Sequence, residues 1–190
     1  MSTTDRTRWL EWRREGIGAS DVAGILGLSP WESPWSVWAN KTGLAAEHDA
    51  TAAMEFGLRA EEMLGRWFTD VTGLHVAGEQ TLVEHPVDRW MRATVDGFVV
   101  EGPNSTPDMA LGVVEFKTTS EPRWDAVPDH YACQATWCLA VTGLPKVWFG
   151  VLHIAFGRPV FAVYEFDRDE DDIEFVVHRC ATFWADHVLT

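Results

Sequence analysis

Thr94-Val95-Asp96-Gly97, followed by a turn-rich loop and then Val113-Val114-Glu115-Phe116-Lys117, restricts this chain more than any other stretch. Strand side chains alternate between faces. Thr94 and Asp96 are therefore expected on one side of a first strand, and Val113, Glu115 and Lys117 on one side of a second. Residues 101–108 carry Gly102, Pro103, Asn104, Ser105, Thr106 and Pro107, and a hairpin at this turn-rich loop would bring the polar positions together. Those polar residues stand among Val, Phe and Ala, where a carboxylate is costly without a cation or counter-charge, so the pattern points to a divalent-cation site. Taken alone, Glu115 and Lys117 could equally be an exposed pair on an edge strand. Asp96 at hairpin distance, and a further acid on a preceding helix, weigh against that.

The further acid comes from the segment Ala52–Thr72, which reads as a helix ended by Gly73. Met54, Leu58, Leu64, Phe68 and Val71 recur at steps compatible with one buried face, and Glu61 falls within that stripe. Its neighbour Glu62 lies about a hundred degrees around the helix, within i,i+4 reach of Arg66, as a surface residue would. Glu61 is thus the third candidate carboxylate.

A chain of 190 residues with 46% hydrophobic content can bury one sizeable core, and no Pro/Gly/Ser-rich linker divides it, so a single domain over residues 1–190 is expected. The N-terminal residues lack a signal-peptide apolar core and no long apolar run follows, which predicts a soluble intracellular protein with no membrane association. Cys133, Cys138 and Cys180 form no C-x-x-C pair and read as buried thiols in a reducing compartment. A net charge of −14 argues against a protein that coats DNA through excess Lys and Arg, though not against an enzyme acting on it. Much of the acidity lies between Glu165 and Glu174, a run that reads as a solvated helix start.

Elsewhere, residues 5–14 read as an amphipathic helix with Trp9 and Trp12 on one side and Arg6, Arg13 and Arg14 elsewhere. Ser20, after Gly16-Ile17-Gly18-Ala19, is placed to cap the next apolar turn, where a helix N-terminus can serve as a plain cap or a small anion site. Ser33-Pro34 reads as cap and first position of another helix. Strands are expected near residues 74–83, 90–100, 111–118, 147–154 and 160–166, with helices at Asp129–Thr142 and at the C-terminus. This order gives an α/β (α+β) fold, a sheet flanked by helices. In the Asp129–Thr142 helix, Gln134 shares a face with His130, Trp137 and Val141, and a buried amide there needs a polar partner.

Together, Arg13…Ile17-Gly18-Ala19-Ser20-Asp21, Leu26-Gly27-Leu28-Ser29-Pro30-Trp31, Trp38…Lys41-Thr42-Gly43, Gly57…Glu61, Thr94-Val95-Asp96-Gly97, Glu115-Phe116-Lys117 and Tyr131…Gln134 resemble the YqaJ-like viral recombinase family. This is the phage lambda exonuclease group of PD-(D/E)XK nucleases, and the match runs from about residue 9 to 145. The resemblance implies a restriction-endonuclease-like core with a central mixed β-sheet. It also implies metal-dependent digestion of linear double-stranded DNA, usually 5′ to 3′, in the cytoplasm of a bacterial or phage-infected host cell. The 3′ single strand left behind would pass to a single-strand annealing protein, and a ring-shaped homotrimer around the duplex is common. By the same resemblance Asp96 and Glu115 would bind metal directly, with the Phe116 carbonyl helping and Glu61 ligating directly or through water. Lys117 would orient or deprotonate the attacking water, Gln134 would support the site, and Arg13, Ser20 and Thr94 would hold the terminal 5′-phosphate. The family often has Pro where this chain has Val95, and Ser where it has Thr94; the hydroxyl is kept.

Phosphodiester hydrolysis needs an activated water, charge relief on the phosphoryl oxygens and a stabilised leaving oxygen, and Mg²⁺ ions held by carboxylates can supply all three. Oxygen-only ligands favour Mg²⁺, with Mn²⁺ able to substitute, over Zn²⁺. Three alternatives use parts of the same pattern: an endonuclease, an iron–sulfur nuclease, and a non-catalytic DNA- or protein-binding module. Three scattered cysteines speak against the iron–sulfur form. The intact set Glu61, Asp96, Glu115 and Lys117 speaks against the binding module.

Overall fold

Capping residues bound the helices Pro34–Lys41 and Ala52–Thr72 where the sequence leads one to look for them. The computed structural model describes residues 3–45 and 51–189, with side chains from Arg8 onward, so Arg6 lies outside the described side chains. The first helix, α1 (Thr3–Arg14), runs into a two-residue strand β1 (Ile17–Gly18), then α2 (Ala19–Leu26) and α3 (Pro34–Lys41). Ser33 caps α3 by accepting the Ser36 N–H, with Pro34 at the first position. Helix α4 spans Ala52–Thr72, capped by Thr51 and ended by Gly73 in the left-handed region, with the bounds read from the sequence. Ser20 is not a cap. Gly18 holds that position, and the Asp21 carboxylate three residues on accepts the Gly18 N–H at 2.7 Å, which leaves the Ser20 hydroxyl to Arg13.

Two expected strands are each divided. Residues 74–83 form β2 (His75–Ala77) and β3 (Thr81–Glu84), and residues 90–100 form β4 (Met91–Val95) and β5 (Gly97–Val100). The remaining elements are β6 (Gly112–Thr119), α5 (Asp129–Thr142), β7 (Lys146–Ala155), β8 (Arg158–Asp167) and α6 (Glu170–Phe183). Strands β1, β4 and β3 form one sheet, and β2-β5-β6-β7-β8 a mixed second sheet in which only β6 and β7 run parallel, joined through α5. The chain therefore changes sheets at Asp96. Gly97 makes the change sterically workable, since a Cβ there would collide with Val76.

Side-chain alternation divides the core between the faces of the second sheet. Val113, Val147, Phe149 and Val151 pack with residues of α2, α5 and α6, while Val114, Phe116, Trp148 and Leu152 pack with Ala60, Leu64 and Phe68 of α4. The expected stripe on α4 is only half right. Leu64 and Phe68 are buried, but Met54, Leu58 and Val71 are 65%, 63% and 58% exposed: Met54 and Leu58 lie roughly 80° and 120° around the helix from Leu64, and Val71 sits in the last turn. The acid run also divides: Glu165 and Asp167 pair with Lys146 from β8, while Asp169 caps α6 by accepting the Asp171 and Asp172 N–H groups.

Candidate active site

Asp96 stands at the sheet change, and the antiparallel pairing of β5 with β6 sets Gly97 opposite Val114, so the acid lies beside the start of Glu115-Phe116-Lys117. The Phe116 N–H donates to Asp96 Oδ2 at 2.7 Å. The Phe116 ring turns to the α4 side, over Gly150 of β7, where any Cβ would come within 2.7 Å of it. On the opposite side of β6, Glu115 is 2% exposed. Its Oε2 accepts from Lys117 Nζ and from Gln134 Nε2 of α5, both at 2.8 Å, and the Cys138 thiol lies 3.8 Å from Oε1. Gln134 thus has the polar partner that its position on α5 demanded. Glu61 reaches the cluster from α4: Gln80 Nε2 donates to Glu61 Oε2 at 2.7 Å and to Asp96 Oδ1 at 3.3 Å. Glu62 points to solvent and pairs with Arg66 at 2.5 Å.

These groups are electrostatically strained in a consistent direction. Burial pushes Glu115 up to about 7; Lys117 opposes the shift and Asp96 adds to it. Glu61 is also raised to about 7, by burial and then by the Asp96 charge. Asp96 is raised by burial against the pull of Lys117 and the Phe116 N–H. For Lys117 burial works against the charge, and Glu115 and Asp96 outweigh it, so the ammonium is held above its ordinary value. The cluster has more acid than its one lysine balances. Among the described residues no three His, Cys, Asp or Glu side chains converge as a ready-made metal cage. Mg²⁺ does not require one, because it is usually held by one or two carboxylates together with water and substrate phosphate. Asp96 and Glu115, hard oxygen donors whose charge burial disfavours, fit a cation of that class, with Glu61 beside them.

A pocket of about 80 Å³ lies next to this cluster and brings together Arg13, Ser20, Thr94 and Gln134, with Trp9, Trp12, Gly18, Ala19 and Arg92. Arg13 Nη2 donates to Ser20 Oγ at 2.8 Å and to Asp21 Oδ1 at 3.1 Å, and the guanidinium lies 4.9 Å from the centre of the Trp9 ring. Behind it, buried Lys41 forms an ion pair with Asp21 and donates to the Arg13 carbonyl at 2.8 Å. Burial alone would raise Asp21; Lys41 and Arg13 outweigh it and hold the carboxyl below its usual range. A larger groove of about 430 Å³ on the outer side of α4, lined by Arg59, Glu62, Met63, Arg66, Trp67 and Asp70, holds none of the candidate residues.

Sequence reasoning brought Asp96, Glu115, Lys117, Glu61 and Gln134 to one place and Arg13, Ser20 and Thr94 to its neighbour. It missed Gln80, and it gave Asp21 and Lys41 no role although both stand in the motifs that carry the resemblance. Residues 8–145 match the YqaJ-like viral recombinase domain. The chain belongs to that family. It is 32% identical over 196 residues to the uncharacterized protein YqaJ of Bacillus subtilis strain 168, covering 99% of this chain and 58% of that protein, so it spans under two thirds of that relative. Two solved structures are similar across nearly the whole chain. The alkaline exonuclease LHK-Exo from Laribacter hongkongensis gives a TM-score of 0.70 at 21% identity, covering 95% of this chain and 91% of the other. A phage-related exonuclease from Haemophilus somnus 129PT gives 0.63 at 10% identity, covering 92% and 94%. The fold of this YqaJ-like domain, helices flanking mixed sheets, is accordingly the one these two structures share. Among its described residues no helix is long and apolar enough to cross a membrane.

Proposed function

We propose that this YqaJ-like domain is a metal-dependent exonuclease that hydrolyses linear double-stranded DNA from a 5′-phosphorylated end, leaving 3′ single strands for recombination by strand annealing. The observation that carries the proposal is the position of Gln134, which holds Glu115 on one side and lines the Arg13–Ser20–Thr94 pocket on the other. A terminal phosphate in that pocket would place the next phosphodiester at the acids. Arg13 offers planar charge-assisted donors and Ser20 a hydroxyl beside the N-terminus of α2, both suited to an anion.

Asp96 and Glu115 would hold Mg²⁺, or Mn²⁺ in its place, with the Phe116 carbonyl and Glu61 adding oxygen donors. Bound there, the cation supplies charge relief for the phosphoryl oxygens and lowers the pKa of water. Lys117, fixed against Glu115, donates to the attacking water or a phosphoryl oxygen and fixes its direction. The water oxygen would form the new bond to phosphorus and give up one proton to solvent, while the bond to the 3′-oxygen breaks and that oxygen takes up a proton from solvent to leave as a 3′-hydroxyl. The freed nucleotide keeps its 5′-phosphate and the shortened strand gains a new one, so each cycle regenerates the group that the Arg13 pocket would hold. An annealing protein as partner and a ring-shaped homotrimer belong to the same proposal.

Purified protein with linear and covalently closed duplex, in Mg²⁺ or in EDTA, tests it. The linear form should disappear only with Mg²⁺ and the circle should survive. Equal cutting of circles would point to an endonuclease, and undiminished digestion in EDTA would remove the metal from the account.

A further inference from the structure

Gln80 lies in the short turn between β2 and β3, and nothing in its surroundings requires a long side chain for packing, since it is exposed. Its backbone has φ 51°, the left-handed region that Gly or Asn normally fills. The turn is pinned there: Gln80 N–H donates to the Asp96 carbonyl at 3.3 Å, and the Thr81 hydroxyl donates to the Gly78 carbonyl at 2.5 Å. A strained residue persists where its surroundings over-determine it, and such residues gather at functional sites. From this position the Gln80 amide nitrogen donates to Glu61 and to Asp96 at once, 2.7 and 3.3 Å away.

The two carboxylates so joined come from separate elements, α4 and the β4–β5 junction, and they repel each other. Glu61 stands on a helix beside open solvent, so without a shared donor its side chain would turn toward water. An amide can hold both acids without adding charge. Each carboxylate oxygen has a second lone pair, which leaves both acids able to bind a cation. Partners of this kind fix the ligands of metal sites and tune their affinity.

We propose that Gln80 is a positioning residue that holds Glu61 beside Asp96 and thereby sets the affinity of the acid cluster for a divalent cation. The proposal rests on the metal-dependent reading above. Its test is Mn²⁺ binding followed by electron paramagnetic resonance, without DNA, on wild type, Gln80→Gly, Gln80→Met and Glu61→Gln, with the melting temperature of each. Gly relaxes the left-handed backbone and Met keeps the reach without the donor. Both variants should bind Mn²⁺ about 10- to 100-fold more weakly, and Gln80→Gly should melt no lower than wild type. Wild-type affinity in Gln80→Met, with Glu61→Gln still impaired, would overturn the role of Gln80 and leave the metal site standing. Tighter binding in either Gln80 variant would make the amide a competitor of the cation and overturn the proposal as well. No Mn²⁺ uptake by wild type would overturn both readings.

Discussion

Glu61 and Glu62 differ by one position on α4 and by everything that decides a role. Glu61 is held by Gln80 near Asp96 and its proton affinity is raised to about 7, whereas Glu62 pairs with Arg66 in open water, with both side chains about three quarters exposed. Glu61→Gln should lower the nuclease rate at least roughly a hundredfold, about 2.7 kcal/mol of barrier. Glu62→Gln should leave it nearly unchanged, since exposed ion pairs contribute ~0–1 kcal/mol. Single-turnover digestion of linear duplex checks both, and the reverse ranking would contradict the assignment. Asp21 acts differently, by tying α1, α2 and α3 together through Arg13 and Lys41. Its folded pKa is depressed, so as pH falls the unfolded chain takes up the proton first. The stabilisation is complete above the ordinary carboxylate range near about 4 and is lost as pH falls through the folded value. Asp21→Asn leaves buried Lys41 without its counter-charge and should cost about 3–5 kcal/mol at neutral pH. Denaturant unfolding from pH 7 to 3 should show that gap steady down to pH 5 and narrowing below about 4; a gap constant to pH 3 would contradict it.

At the scale of elements, α4 shows how far periodicity reaches. Its bounds, the inward phase of Glu61 and the exposure of Glu62 were all legible, because capping residues and a 3.6-residue repeat are local properties. How wide a strip of the helix is covered was not, since that depends on the surface it packs against. Leu58 reads into the same stripe as Leu64 although it lies about 120° around the helix from it, and the two are 63% and 1% exposed. Leu64→Ala should cost about 2–5 kcal/mol in denaturant unfolding and Leu58→Ala within about 0.5, and equal costs would contradict the packing described. The pairing of β5 with β6 was legible from the turn-rich loop between them, whereas the residues alone gave Gln134 only the need for a polar partner and its place at the site came from the resemblance. The change of sheet at Asp96 was not legible, because Trp90 to Val100 alternates as one strand would and only the partners, β1 and β3 for one half and β2 and β6 for the other, separate its halves. Gln80 left no sequence signal, since an exposed glutamine in a turn is ordinary until two acids from distant positions are found on its amide.

For the molecule as a whole, the proposed work of an acidic chain on a polyanion requires positive charge concentrated where the phosphate would go. The net charge of −14 leaves little for long-range attraction. Lys117 at the acids and Arg13 in the adjoining pocket are placed for close contacts instead, and a cation among Asp96, Glu115 and Glu61 would reverse the local sign. The central claim is that these two neighbouring sites act as one device, the pocket choosing the end and the acids cutting beside it. The most direct measurement uses a blunt linear duplex in Mg²⁺, with a 5′-phosphate on one strand, a 5′-hydroxyl on the other, and a label at each 3′ end. The phosphorylated strand should shorten from its 5′ end about 10- to 100-fold faster than its partner, and Arg13→Ala should abolish the difference. Equal loss of both strands by the wild-type protein, or cuts in the interior before the ends recede, would contradict the account.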